Sequence, residues 1–171
     1  EATFHSAVPG LPRRIVPNSA GHGRAAVEAA STFCLLEPAL LAPEHNEIPF
    51  YTWGARECCL PRGAVRATLR GALPNLEAGM VLIFKEVRSP RSGDPDDADL
   101  VHRHAVRLTE VSHGSDPVGG RFDLPPNDNP VPVTEIRWAD EDALPFPLCI
   151  SAEAAESSGA GFIDLVSLAL G

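Results

Sequence analysis

Two adjacent cysteines, Cys58 and Cys59, lie beside a proline in the stretch RECCLPRG. With Cys149, His102 and His104 they offer the thiolate and imidazole groups that bind zinc. Adjacent residues of a strand point to opposite faces, however, whereas zinc ligands must converge on one ion. His102 and His104 are separated by one residue, so they share a face of a strand and are compatible with ligation. We predict no metal site and no cofactor, and a site joining the cysteine pair to the two histidines stays open as the alternative.

A cysteine can also serve as a nucleophile. A Cys, the Gly-initiated strand in LEAGMVLIF and a later His before another strand faintly resemble the self-splicing Hint fold. That chemistry needs a thiol at a cleavable junction, an activating His and a terminal Asn or similar group. Cys58 and Cys59 lie in mid-chain, and no His-Asn pair closes the sequence. We therefore predict no catalytic residues and no enzymatic activity, with a Hint-like cysteine-dependent self-processing domain as an alternative.

The third interpretation of the cysteines is structural. Free cysteine is among the most often buried residue types and packs as a small hydrophobic side chain. One cysteine of the pair is expected to face the core and the other a loop or the opposite face. Cys34 and Cys149, embedded in TFCLLE and FPLCIS, are expected to lie in the core. Because nothing marks the chain as secreted, a reduced, cytoplasmic setting is predicted.

The acidic run from Asp94 to Asp99 resembles a calcium loop only superficially. An EF-hand loop needs a central Gly and a closing Glu at set positions, and Pro95 interrupts the run. The run is therefore expected to solvate a long loop.

Composition excludes two classes of partner. The 171 residues include 23 acidic and 14 basic ones, for a net charge of -9, and such a surface repels phosphate backbones. No segment of the sequence is long and apolar enough to span a bilayer. We predict no nucleic-acid partner and no membrane partner. The sequence starts without Met and stops within a hydrophobic run, so we expect it to be an internal fragment of a longer protein.

Hydrophobic periodicity predicts one helix and several short strands. The alanine-rich run predicts a helix over residues 23–36, which the prolines at 38 and 43 stop. Alternating or apolar segments predict strands at 50–53, 64–69, 81–87, 105–111, 132–138 and within 162–170. Polar loops are predicted at 88–100 and 112–130. In the strand at 81–87, the polar end at Lys85 and Glu86 is expected to emerge into solvent.

These elements predict a mainly β fold. The 17 prolines and 14 glycines argue against long helices and for short strands joined by turns. We predict a small β-barrel or sandwich-like domain with one short N-terminal helix. Residues 1–49 form an extended lead-in with the helix, 50–151 the β-rich core domain, and 152–171 a linker and final strand that continue toward the rest of the parent protein.

Several blocks, taken together and in order, resemble a known family. YTWGARECCLPRGAVRATLRGALPNLEAGMVLIFKEV, then HRHAVRLTEV, then PVTEIRWADEDALPFPLCIS are similar to the baseplate assembly proteins of phage-tail-like contractile injection systems. These are distant relatives of baseplate wedge components. The resemblance covers roughly the last two-thirds of the chain. Gly79-Met80 departs from it, since an acidic residue is expected after the glycine.

The resemblance implies a structural role without catalytic residues. It implies a β-rich domain of a wedge subunit that mediates protein–protein assembly, with other baseplate subunits and further copies of itself as partners. Exposed aromatic and arginine side chains are the usual anchors of such contacts. The candidates are Trp53, Trp138, Arg103 and Arg107, of which Trp138 is expected in the core. A carbohydrate- or small-ligand-binding β-barrel is a further alternative.

Overall fold

The computed structural model describes residues 3–6, 8–11, 15, 19–29, 31–34, 42–123, 125–154 and 161–171. The chain divides into two compact units, Glu1–Leu41 and Ala42–Gly171. Within the described ranges no helix is long and apolar enough to cross a bilayer. The second unit carries the large sheet and the groove on which the functional proposals rest.

In the described part of the first unit there are one helix and one pair of short strands. Strand β1 (Thr3–His5) pairs antiparallel with β2 (Thr32–Cys34), and helix α1 (Ala20–Glu28) lies between them in the chain. Ser19 caps the helix, because its hydroxyl accepts a hydrogen bond of 3.2 Å from the His22 N–H.

The helix predicted over residues 23–36 is therefore misplaced and too long. It begins earlier because of the serine cap, and it ends at Glu28 because Ala29 is extended. Thr32 and Phe33 then pair with β1, as expected for residue types that favour strands. The side chain of Cys34, predicted to be in the core, lies outside the described part of the chain.

The described residues of the second unit form nine strands and one isolated β-bridge. In chain order the strands are β3 (Ile48–Pro49), β4 (Cys58–Leu60), β5 (Arg66–Arg70), β6 (Val81–Glu86), β7 (Arg103–Asp116), β8 (Val131–Trp138), β9 (Leu148–Glu153), β10 (Phe162–Ile163) and β11 (Ser167–Leu170). Six of them form an antiparallel sheet in the order β3-β11-β6-β7-β8-β5, and three form a small sheet in the order β10-β9-β4. The mainly β fold with one short helix is confirmed.

The two outer strands of the six-stranded sheet also touch each other. Phe50, directly after β3, forms an isolated antiparallel bridge with Leu69 of β5, and the Tyr51 N–H donates to the Thr68 carbonyl at 2.8 Å. This contact curls the sheet toward a barrel. The strand predicted over residues 50–53 is wrong beyond Phe50, because Trp53 and Gly54 adopt left-handed φ values of 55° and 78°, which end an extended segment.

The interior of the curled sheet is a core of large apolar side chains. Phe84 is fully buried and makes edge-on ring contacts with Phe50 at 5.0 Å and Trp138 at 5.1 Å. Burying a side chain of this size contributes about 1.5–3 kcal/mol. In β8, Ile136 and Trp138 point inward as predicted, and the strand alternates buried and exposed positions along most of its length.

Glu86 does not emerge into solvent. It is 5% exposed at the end of β6, where its carboxylate accepts hydrogen bonds from the Asp99 N–H at 2.9 Å and faces the His102 Nδ1 at 2.7 Å. The prediction that Glu86 is exposed is wrong, because the loop after β6 folds back and supplies polar partners for a buried carboxylate.

The loop predicted over 112–130 begins later than expected, because β7 continues to Asp116. Its last residues find a partner in the first half of β8, with Asp116 opposite Val131. The predicted linker starts later as well, since β9 reaches Glu153; residues 155–160 lie outside the described ranges.

A disulfide joins Cys59 of β4 to Cys149 of β9. The two residues are direct partners in the register, and Cys59 is on the exposed face of the small sheet. The expectation that the cysteines are reduced and that Cys149 packs as a hydrophobic side chain is therefore wrong. Sequence alone could not reveal the pairing, because the two residues are 90 positions apart.

Removing this disulfide is expected to destabilise the chain by about 2–5 kcal/mol. The bond joins residues 90 positions apart and so lowers the conformational entropy of the unfolded chain. The double substitution C59S/C149S should lower the denaturant midpoint, and reduction of the wild-type protein should lower it equally. C58S is the control and should keep the wild-type free energy of unfolding within about 1 kcal/mol. Identical unfolding curves with and without reductant would contradict a structural role for the bond.

Candidate functional site

A groove of about 340 Å³ opens between β4 and β5. We call it the Trp53 groove. Its floor is formed by side chains of the hydrophobic core and by side chains that pack against that core. The former are Ile136 and Ile150, and the latter are Cys58, Leu60 and Ala67. The floor is therefore apolar and supported from below.

Trp53 stands at one end of the groove with 49% of its surface exposed. Its Nε1 donates a hydrogen bond of 3.2 Å to the Thr68 hydroxyl, and its ring meets the Tyr51 ring edge-on at 5.2 Å. The backbone at Trp53 is left-handed, which costs a non-glycine residue about 1–3 kcal/mol. Such conformations persist only when the surroundings hold them, and they are concentrated at functional sites.

Neighbouring contacts hold this end of the groove in place. The Phe122 ring covers Gly54 so closely that an added Cβ would lie 2.6 Å from a ring carbon. The Tyr51 hydroxyl donates to the Asp116 carboxylate at 2.8 Å, and the same carboxylate accepts from the Val118 N–H at 3.0 Å. Burial, followed by the bond to Asp116, raises the pKa of Tyr51 to about 12. These contacts fix Tyr51 and Gly54, which lie on either side of Trp53 in the chain.

Two arginines and one glutamate form the rim. Arg66 and Arg137 are direct cross-strand partners in the pairing of β5 with β8, and Glu135 lies opposite Thr68. Directly opposed like charges destabilise a sheet. Arg137 is compensated by Glu110 on its other side, at 3.5 Å, whereas Arg66 has no ion-pair partner in the described part of the chain. Arg66 is therefore the rim residue that faces a like charge across the strand pair without an ion-pair partner among the described residues.

Of the predicted reactive residues, only Cys58 lies in this groove. It is half-buried and free, and burial raises the pKa of its thiol. Cys59 points to the opposite face and is bonded to Cys149. The expected division of the pair, with one residue toward the core and one away from it, is confirmed. A buried thiol with a raised pKa is a poor nucleophile, because the thiolate is the reactive form.

The two histidines lie elsewhere. His102 stacks on Phe146 at 4.7 Å, and His104 meets the same ring edge-on at 6.4 Å, so they share a face as predicted. His104 Nε2 lies 3.0 Å from the Asp142 carbonyl oxygen. His104 belongs to β7 of the six-stranded sheet and His102 directly precedes that strand, whereas the cysteine pair belongs to the small sheet.

The acidic run forms a local turn. The Asp94 side chain accepts from the Asp96 N–H at 2.9 Å, and Asp97 accepts from the Ser92 hydroxyl at 2.7 Å. In the described ranges, no group of three or more His, Cys, Asp or Glu side chains is placed to hold a metal ion.

The four residues predicted as anchors of protein contacts lie in different parts of the domain. Trp138 is 3% exposed and belongs to the core, as predicted. Arg103 lies exposed at the start of β7, and Arg107 donates to the Gly79 carbonyl at 3.1 Å. Only Trp53 lies at the groove. Sequence analysis missed Arg66, because the significance of that residue depends on which strand pairs with β5.

Comparisons with known proteins add no identification. No family model matches the sequence, no curated protein matches it, and no solved structure matches the fold.

The stability of the domain is expected to fall as the pH rises from about 10 to about 12. The Tyr51 hydroxyl keeps its proton up to a pKa of about 12 in the folded state, against an ordinary value of 10.0. Between these values the folded state binds more protons than the unfolded state, so rising pH favours unfolding. Because Tyr51 is the only tyrosine, tyrosinate absorbance reports it directly.

Tyr51→Phe is the matched variant for this test. It should cost about 1–3 kcal/mol at neutral pH, because the buried Asp116 loses a donor, and it should remove the alkaline dependence. Tyrosinate absorbance that rises with a midpoint near 10 in the folded wild-type protein would contradict this assignment.

Alkylation should distinguish the two adjacent cysteines after gentle reduction. Iodoacetamide at about pH 8 should label the exposed Cys59 rapidly and Cys58 slowly, because burial keeps Cys58 protonated. Because the two cysteines are adjacent, each rate is measured by mass spectrometry in a variant that lacks the other thiol. C59S reports the labelling of Cys58, and C58S reports the labelling of Cys59. Labelling of Cys58 in the folded protein as fast as in the unfolded chain would show that its thiol is not buried.

Proposed function

We propose that this chain is a non-catalytic assembly domain that binds another protein chain through the Trp53 groove. The observation that carries the proposal is a half-exposed Trp53, held in a left-handed backbone conformation at the end of an apolar groove. Tryptophan, tyrosine and arginine dominate the energetics of protein interfaces, and they act best when neighbouring groups fix them in place.

The arrangement of the groove supports binding over chemistry. Its apolar floor would exclude water under a bound side chain, while the exposed rim at Arg66, Glu135 and Arg137 would select the charge pattern of the partner. Cys58, the cysteine of the groove, is held mainly as a thiol, because burial raises its pKa.

The sequence blocks that resemble baseplate assembly proteins give this role a context. We propose that the domain belongs to a baseplate component of a phage-tail-like contractile injection system. Its partners would then be other baseplate subunits and further copies of the same protein. Cytoplasmic assembly stays a prediction, and the Cys59–Cys149 disulfide weighs against it, because such bonds are rare in reducing compartments.

The two alternatives receive less support. A Hint-like processing domain would need an activated thiol, but Cys59 is in a disulfide and burial raises the pKa of Cys58. A carbohydrate site would need an exposed aromatic surface for stacking, but Tyr51 is 7% exposed, which leaves Trp53 as the single exposed ring of the groove.

Incorporation of Trp53→Ala into particles tests the proposal. In cells that make the parent protein, tail-like particles should be purified and the amount of this subunit measured by mass spectrometry. Loss of an anchoring tryptophan should reduce incorporation about tenfold or more. Thermal unfolding of the isolated domain should show that the variant is still folded.

Phe162→Ala is the control, because Phe162 is also an exposed aromatic residue, at 43%, but belongs to β10. It should be incorporated like the wild type. Wild-type incorporation of Trp53→Ala would contradict the role of the groove. Absence of the subunit from any sheathed particle would contradict the baseplate context.

A further inference from the structure

We propose that the partner contributes an extended segment that adds as a strand to the free edge of β5, with an acidic side chain opposite Arg66. This inference rests on the proposed function, because it specifies what enters the same Trp53 groove. The partner segment would alternate apolar and acidic residues, a pattern that the resemblance to baseplate assembly proteins does not imply.

The edge of β5 is free at one end because its contact with the segment after β3 stops after two residues. Phe50 pairs with Leu69, and the antiparallel register continued from that bridge would bring Trp53 opposite Arg66. The left-handed backbone at Trp53 and Gly54 instead turns the chain away after Tyr51. The edge of β5 is therefore covered at Thr68 and open at Arg66.

The pairing of β5 with β8 shows which backbone groups face that edge. The Val65 carbonyl accepts from the Trp138 N–H at 3.1 Å, and the Gly71 N–H donates to the Pro132 carbonyl at 2.8 Å. Odd-numbered residues of β5 thus bond to β8, and even-numbered residues face away from it. The Arg66 N–H and carbonyl point to the open side, where β5 has no further strand among the described residues.

The strand on the far side of the groove is also an edge. β4 pairs only with β9 among the described strands, and Cys58 and Leu60 of β4 line the groove floor. An unpaired strand edge is a ready template for an added strand, and residues of both β4 and β5 line the groove. An extended segment is therefore the partner geometry that the groove fits.

A row of charges across the sheet specifies the acidic side chain. Glu110 of β7 lies opposite Arg137 of β8, which lies opposite Arg66 of β5. Glu110 compensates Arg137 at 3.5 Å, so among the residues that the structure describes the row ends at β5 with Arg66 unpaired. An acidic residue on an added strand would complete the row, and its sequence neighbours would point to the other face, toward the apolar floor beneath Ala67.

The test uses a capped peptide of about seven residues that alternates valine and glutamate, the length of a typical strand. Added to the whole chain, it should shift the backbone amide signal of Arg66 in NMR spectra more than that of Ala67, whose N–H faces β8. A peptide with lysine in place of glutamate should bind about fivefold more weakly, the effect of exchanging an attractive cross-strand charge pair for a repulsive one.

Two variants test whether peptide binding depends on the charge of Arg66 or on the overall charge of the protein. Arg66→Glu should weaken binding of the glutamate peptide about fivefold and strengthen binding of the lysine peptide. Arg103→Glu is the control, because Arg103 is exposed and lies opposite Lys85 at another place in the sheet. It should leave both affinities unchanged.

The outcomes are distinguishable. A peptide with all its backbone amides methylated should fail to bind, and if it binds as well as the parent peptide, strand addition is wrong while the Trp53 groove can still bind a partner. Self-association of the chain that Arg66→Glu abolishes would assign the edge to a second copy and overturn the inference. Failure of the Trp53→Ala test would remove the proposed function and this inference together, whatever the peptide does.

Discussion

The short contact between the segment after β3 and β5 determines the form of the second unit. One bridge at Phe50–Leu69 and one hydrogen bond from Tyr51 to Thr68 bring the two outer strands of the six-stranded sheet together. Without this contact the sheet would be open along its full edge. This contact curls the sheet around its core, and because it ends after Tyr51, the Arg66 end of β5 is unpaired among the described residues, next to an apolar groove.

The Trp53 backbone connects this architecture to function. A left-handed tryptophan is unfavourable by itself, and the Phe122 ring over Gly54 and the Tyr51–Asp116 hydrogen bond hold it in place. The conformation places an aromatic side chain half in solvent and opens the strand edge beside it. One local distortion therefore creates both the anchor and the edge that the proposed partner would use, while the Cys59–Cys149 disulfide ties β4 to β9 on the opposite face of the small sheet.

Sequence reasoning was most successful where the information is local. The alternation in β8 predicted that Ile136 and Trp138 point inward, and the alternation of the CC pair predicted that Cys58 and Cys59 face opposite sides. It failed where distant residues decide the result. Glu86 is buried because a returning loop supplies its partners, and Cys149 is in a disulfide because β9 happens to pair with β4. The same limit applies to Arg66, because only the pairing of β5 with β8 places a second arginine opposite it.

Amide hydrogen exchange of the unliganded chain tests the central claim most directly. If the contact between Phe50 and β5 ends at Trp53, the Arg66 amide exchanges quickly, whereas the Ala67 amide, which faces β8, is protected with the rest of the core sheet. Equal protection of Arg66 and Ala67 would show that the edge of β5 is already paired, and it would contradict both the open groove and the strand that we propose to fill it.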